Sequence, residues 1–301
     1  MSDTERTLDE WVAAIMALPR PWLLAFDVDG TLAPIIERAD QVRVSAAVQR
    51  DLRLLNALPA VQVAVITGRD LALLRRMLKV RGIYRAVEHG VVVLPPGQCA
   101  LPAEPRGVVA ERLHTFARWA EVEAVPQGAV LERKRTSRVL HVRALAASDP
   151  GLADSLLARA TEQAKRVGLI PRAGRAVLEA EVTPGDKGRA LARIQRSMAA
   201  RGVFFAGDDY TDEPALAHAT ERGGIGLFVS SVERPTPPSS ASGAICGADE
   251  MAELIRRLRV ALTPPPRRLR GHGGSGGTKI VRLRGASEKR RSATTQAPTP
   301  Q

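Results

Sequence analysis

Residues 22–35, WLLAFDVDGTLAPI, constrain the fold more than any other stretch of this chain. Trp22, Leu23, Leu24, Ala25 and Phe26 form a short unbroken apolar run, the pattern of a strand buried on both faces. Asp and Gly are poor strand residues, so the strand is expected to end near Asp27. Two carboxylates, Asp27 and Asp29, then follow at its carboxyl end, which is where open α/β sheets bind ligands. Ionised carboxylates held there need a cationic partner. A hard divalent ion such as Mg2+ suits oxygen donors. An EF-hand calcium loop is excluded, because its twelfth position, counted from Asp27, is Arg38 and not Glu.

The remaining order of elements follows from periodicity and punctuation. Thr7 and Glu10 have capping-box spacing ahead of Leu8, Trp11, Val12, Ile15 and Leu18, so a first helix is expected to pack on the first strand. A helix over 45–58 and a strand over 61–66 follow, and the strand ends in Thr67-Gly68-Arg69-Asp70 before another helix. An apolar run over 84–94 is broken by Glu88-His89-Gly90. Alternation of this kind predicts an α/β fold, a doubly wound Rossmann-like parallel sheet with helices on both faces.

Pro95, Pro96, Gly97, Pro102 and Pro105 mark a boundary. Beyond it a helix over 107–122, strands over 129–134 and 138–143, a helix over 151–167 and strands over 169–170 and 176–182 predict an inserted α+β module. Thr183-Pro184-Gly185 marks the return. Asp186 is placed to cap a helix over 187–200. Strands over 203–206 and 225–229 and a helix over 249–262 complete the larger sheet. The expected division is an N-terminal helix at 1–21, core at 22–95, module at 96–183, core at 184–262 and a flexible basic tail at 263–301.

Composition excludes several classes. Aromatics are 3% of the 301 residues, which argues against a stacking platform for single-stranded nucleic acid. Cys99 and Cys246 form no Cys-x-x-Cys pair, against a disulfide scaffold or thiolate zinc site and in favour of a reducing cytoplasm. No apolar run reaches the roughly 20 residues of a membrane span, and from the acidic start no secretion signal is expected. Of the net charge of +12, residues 263–301 hold nine Lys/Arg against one Glu, a net +8, leaving +4 for the rest. Nucleic acid is therefore not expected as a partner; the one feature suggesting it is the tail, which is expected to be dispensable for catalysis.

Three core strands deliver polar clusters at their carboxyl ends: Asp27 with Asp29, Thr67, and Asp208 with Asp209 and Asp212. Lys187 opens a helix. Phosphoryl transfer needs these parts, namely a nucleophile, a metal, cationic and hydroxyl donors, and an acid for the leaving group. No Walker A loop is present. As a set, D-x-D-G-T-L, T-G-R, an isolated Lys and G-D-D-x-T-D resemble the haloacid-dehalogenase-like (HAD) phosphatases over residues 22–262. Within that superfamily DGTLAPI, TGR, EHG, GDKG and GDDYTDE resemble the trehalose-6-phosphate phosphatase family. The module also matches it through Glu132, Arg133, Lys134, His141, Val142, Arg143 and Glu179.

The resemblance implies Asp27 as nucleophile and Asp29 as proton donor, then base. It implies Thr67 and Lys187 on the phosphoryl oxygens, with Asp27, the Asp29 carbonyl and Asp208 on Mg2+, supported by Asp209 and Asp212. It implies substrate binding by Gly68, Arg69 and His89, and sugar recognition in a cap by Glu132, Lys134, His141, Arg143 and Glu179. Spacing alone leaves the module residues as one polar sheet face, Glu132 with Lys134 and His141 with Arg143, equally a solvated one. The implied substrate is a small sugar phosphate and the expected protein a monomer. Sucrose-phosphate or mannosyl-phosphoglycerate phosphatases share the core chemistry, and a dead phosphatase fold used for binding is the reading from another class. A dead copy tends to lack one part, whereas Asp27, Asp29, Thr67, Lys187 and Asp208 are all retained.

Overall fold

The computed structural model describes residues 6–36, 38, 41–174 and 176–263 of the chain. In chain order these form α1 (Leu8–Met16), β1 (Trp22–Phe26), α2 (Ala46–Asn56), β2 (Val61–Ile66), α3 (Leu71–Met77), β3 (Tyr84–Val87), β4 (Val92–Leu94) and α4 (Val108–Glu123). There follow β5 (Val130–Arg133), β6 (Ser137–His141), α5 (Arg143–Ser148), α6 (Pro150–Arg166), β7 (Ile170–Gly174), β8 (Val177–Glu181) and α7 (Lys187–Ser197). The chain then runs through β9 (Gly202–Gly207), α8 (Glu213–Glu221), β10 (Ile225–Ser230), β11 (Gly243–Cys246) and α9 (Gly247–Leu262).

The larger sheet has the order β11-β10-β9-β1-β2-β3-β4, parallel except where β4 pairs antiparallel with β3. Every residue of the central strand β1 is buried, and its alternation divides the core in two. Trp22, Leu24 and Phe26 join one cluster with residues of α1, α2, α3 and α9. Leu23 and Ala25 join the other, with Ala190, Leu191 and Ile194 of α7 and Ala215, Leu216 and Ala219 of α8. A period of two in a strand covered on both faces therefore gives a doubly wound sheet.

Local signals act where they were expected. The Thr7 hydroxyl accepts from the Glu10 amide and the Glu10 carboxylate accepts from the Thr7 amide, closing the capping box of α1. Asp186 caps α7 through the Arg189 amide at 2.9 Å. Helix α1 packs against α9, and its Trp11, Val12 and Ile15 share the cluster of Trp22. Strand β11, at the sheet edge, has no counterpart among the expected elements; four residues with Gly at the start carry too little pattern.

The inserted α+β module carries a second, antiparallel sheet of order β5-β6-β8-β7. Leu131, Leu140, Leu178 and Ala180 on one face pack with Leu113, Phe116, Leu156 and Ala160 of α4 and α6. The other face is a cross-strand row in which Glu132 is opposite Val139, Val139 opposite Glu179, and Glu179 opposite Arg172. The expected strand over 138–143 stops at His141. Arg143 opens α5 instead, so His141 and Arg143 do not share a sheet face. The Ala-rich sequence after Arg143 favours helix once the ladder partner is lost. The expectation of a flexible tail falls, from residue 264 on, outside the described residues. Among the described residues no helix is long and apolar enough to cross a membrane.

Candidate active site

Strand β1 sits between β2 and β9, so the chain order reverses at its edge with β9. Such a switch point opens a crevice beyond the carboxyl ends of the two strands. Phe26 is in register with Ala206, and the Asp27 amide donates to the Ala206 carbonyl at 2.9 Å. Asp27 and Asp208 thus leave adjacent strands side by side. The turn after Asp27 is tight: the Gly30 amide donates to the Ala33 carbonyl at 2.8 Å, and the Leu32 and Ala33 amides both donate to the Val28 carbonyl at 2.9 Å.

Gly30 has φ +78°, and a Cβ there would lie 2.0 Å from Asp208 Oδ2. Glycine is required on both counts. Gly30→Ala is expected to displace the Asp208 carboxylate and lower activity roughly 100-fold, the scale of a ~1 Å misplacement in a catalytic site. Steady-state assays beside a thermal melt check whether the site is lost before the fold.

One ligand oxygen each from Asp27, Asp208 and Asp212 come within 4.8 Å of one another, and all three residues are buried. The Lys187 ammonium, also buried, lies 3.0 Å from Asp27 Oδ1 and 2.8 Å from Asp212 Oδ1. The first is a close ion pair; among the described residues Asp27 Oδ1 has no aligned hydrogen-bond donor. Burial, with the Asp212 and Asp208 charges, drives the Asp27 carboxyl well above its usual range, against the opposing Lys187 charge and a hydrogen bond from the Val28 amide. Burial and the Asp212 charge push Asp208 up to about 7. Burial works against the Lys187 ammonium too, but Asp212 and Asp27 outweigh it and raise its pKa, so it stays charged.

Three carboxylates against one ammonium leave this pocket short of positive charge. A hard divalent cation would supply it, and the oxygen donors fit one. Asp212 has other duties as well: its Oδ2 accepts from the Asp209 amide at 3.0 Å while Oδ1 holds Lys187.

The second wall comes from the turn after β2. Thr67 is buried, and its hydroxyl accepts from the Arg69 amide at 3.2 Å. Arg69 grips Asp29 with two bonds, Nε to Oδ2 at 2.9 Å and Nη2 to Oδ1 at 2.7 Å. His89 donates its amide to the Thr67 carbonyl at 2.9 Å. Its ring lies against Gly68, where a Cβ would come 2.4 Å from Cε1, which accounts for glycine at that position. Glu88 and His89 both have positive φ, 53° and 54°, a conformation that non-glycine residues adopt only when held in place. Glu88 is held by the Thr136 hydroxyl and Arg135 of the module. Burial, helped by Arg172 and Lys187, lowers the His89 pKa to about 3, so its ring is neutral.

Asp27, Asp29, Thr67, Gly68, Arg69, His89, Arg143, Lys187, Asp208 and Asp209 all line one cavity of about 1190 Å3. Asp212 stands directly behind Lys187. Glu132, Lys134, His141 and Glu179 are not in that lining. They pair among themselves, Glu132 with His141 at 2.9 Å and Lys134 with Glu179 at 3.0 Å. Of that face, Glu179, Lys134 and Arg172 come near enough to the cavity-lining His89 for their charges to act on its ring.

Two members of that face went unread in the sequence. Arg172 lies 2.8 Å from Glu179 and 3.0 Å from Glu181. Burial pushes Glu181 up to about 7. Glu179 and Glu181 alternate along β8 and could have been noticed together, but Arg172 becomes their partner only through the β7–β8 register.

A family model, trehalose-phosphatase, matches residues 25–245. A Mycobacterium tuberculosis protein described as an uncharacterized glycosyl hydrolase is 32% identical over 225 residues, covering 72% of this chain but 16% of its own length. The chain therefore spans about a sixth of the first curated relatives it matches. A probable trehalose-phosphate phosphatase of Sinorhizobium fredii is 27% identical, covering 86% of this chain and 96% of that protein. Among solved structures, Aspergillus fumigatus trehalose-6-phosphate phosphatase superposes with a TM-score of 0.63 at 25% identity, over 85% of this chain and 98% of that one.

Proposed function

The chain belongs to the trehalose-phosphatase family, and from that premise we propose that it hydrolyses trehalose 6-phosphate to trehalose and phosphate with Mg2+ as its metal. The observation that carries the reading is the buried Asp27–Lys187–Asp208–Asp212 constellation at the switch point of the sheet. It combines a carboxylate nucleophile, a fixed cation and a place for a second cation.

In the first step an Asp27 carboxylate oxygen attacks phosphorus. The bond from phosphorus to the sugar oxygen breaks, and Asp29 gives that oxygen a proton. In the second, water attacks the phosphorus of the aspartyl-phosphate, Asp29 takes the proton, and the Asp27 carboxylate is released with phosphate. Lys187 and the Thr67 hydroxyl hold the phosphoryl oxygens throughout. Arg69 is positioned to exchange its grip on Asp29 for the incoming phosphate, which frees Asp29 to face the leaving oxygen. Asp27, Asp208 and the Asp29 carbonyl would hold Mg2+, with Asp212 and Asp209 supporting that shell; when bound, it neutralises charge on the phosphoryl group.

Residues 96–183 act in this reading as a cap whose polar face, with Arg172 beside Glu179, hydrogen-bonds the sugar. Remote binding of this kind positions the reacting group and excludes water. The free, exposed Cys99 and Cys246 suit a reducing cytoplasm, and a monomer suffices for the site.

Phosphate release measured across trehalose, sucrose and mannosyl-glycerate phosphates, with and without Mg2+, tests the assignment. Preference for a substrate other than trehalose 6-phosphate would overturn it. Glu179→Ala is expected to lower kcat/KM for trehalose 6-phosphate roughly 100-fold, because a site built to bond hydroxyls loses its partners. The loss on p-nitrophenyl phosphate, which does not reach the cap, should stay within about threefold. Parallel losses on both would reduce this face to a solvated sheet surface.

A further inference from the structure

Tyr210 is one of two tyrosines in the chain and lies two residues beyond Asp208. It is 71% exposed, yet it is not loose. The Arg234 guanidinium sits 3.8 Å from its ring centroid, covering one face. Arg234 is fixed in turn by an ion pair with Glu213, a long bond to the Asp208 carbonyl at 3.4 Å and the Phe228 ring beneath it at 4.9 Å. One face of the tyrosine is thus pinned, and the exposure belongs to its edge and other face.

A single exposed aromatic is ordinary on a protein surface. This one lines the same cavity as Asp27, Asp29 and Lys187, with Ile35, Ile36, Ala146 and Ala147 also in the wall. Ile35 is 66% exposed and Ile36 41%. The cavity wall therefore combines charged groups with apolar surface beside Tyr210.

A pyranose ring has matching chemistry. Its hydroxyls point outward around the ring, while its C–H bonds give each face apolar character. Apolar ring faces bury against aromatic faces, and an aromatic already held in place loses little conformational freedom on binding. An acyclic phosphate offers no such face.

We infer that Tyr210 is a specificity-determining platform on which the hexose ring bearing the phosphate stacks, its plane set by Arg234. This rests on the sugar-phosphatase reading above.

The test compares wild type, Tyr210→Ala and Tyr210→Phe on trehalose 6-phosphate, glucose 6-phosphate and sn-glycerol 3-phosphate with Mg2+. Burying one ring face is worth roughly a tenfold change in affinity or more. Tyr210→Ala should therefore raise KM for the ring phosphates at least about tenfold. Its preference for them over the glycerol ester should fall by the same factor, with kcat little changed. Tyr210→Phe should match wild type, because the ring and not the hydroxyl does the binding. In an Asp27→Asn background, calorimetry with trehalose 6-phosphate should show the same loss when Tyr210→Ala is added.

Unchanged preference in Tyr210→Ala, or a Tyr210→Phe protein as impaired as Tyr210→Ala, overturns the platform. If wild type prefers a different ring phosphate, the trehalose reading falls and the platform is judged by the same ratio on that compound. If wild type prefers the acyclic ester, both fall.

Discussion

Asp27→Asn is expected to lower turnover by roughly 10^4-fold or more, the scale seen when a hydrolase loses its nucleophile. An amide oxygen does not form the acyl phosphate, so no other group on the chain takes over the first step. The fold should survive. Asp27 is buried beside Asp208 and Asp212, and burial already works against its charge. A neutral amide of nearly the same shape removes a like-charge repulsion while giving up the ion pair with Lys187. The two effects oppose each other, and the melting temperature should stay within about 5 °C of wild type. More than 1% residual activity in purified, folded protein would remove Asp27 from its proposed role.

Removing divalent metal is the second large effect. Chelation with EDTA should bring activity to background and added Mg2+ should restore it. The same site makes a stability prediction that does not depend on turnover. In the metal-free protein the Asp208 carboxyl is raised from 3.8 to about 7, so the folded state holds a proton that the unfolded chain releases. Its contribution is present below pH 4 and is lost as pH rises through about 7, so metal-free stability should fall over that window.

A divalent cation favours the ionised carboxylates and offsets the loss. Binding at about 100 times the dissociation constant is worth about 2.7 kcal/mol. For a domain of this size that corresponds to roughly 5–10 °C. Melting curves with EDTA and with Mg2+ from pH 5 to pH 8 should therefore diverge as pH rises. Equal separation at pH 5 and pH 8 would show that the Asp208 carboxyl does not couple to the metal, and full activity in EDTA would end the metal assignment altogether.

The amino-acid sequence by itself determined what depends on neighbours in the chain. The apolar run of β1, buried along its length, needs no long-range partner to be recognised. The same holds for the capping box at Thr7 and Glu10 and the cap at Asp186. Strand–turn boundaries then placed Asp27, Thr67 and Asp208 at carboxyl ends, and in a parallel sheet all such ends share one edge. Much of the site's chemistry was therefore legible as residue types in order.

Tertiary structure decided who partners whom. Arg69 and Asp29 are 40 residues apart, and nothing local announces their double bond. The grip of Arg234 on the Asp208 loop crosses 26 residues, and Arg172 meets Glu179 only because the β7–β8 ladder fixes its register. Arg143 was misplaced for the complementary reason: helix and strand were both open to it locally, and the end of the ladder at His141 settled the matter. Periodicity and capping act over three or four residues, whereas ion pairs, stacking and register are set by distances that only the folded chain defines.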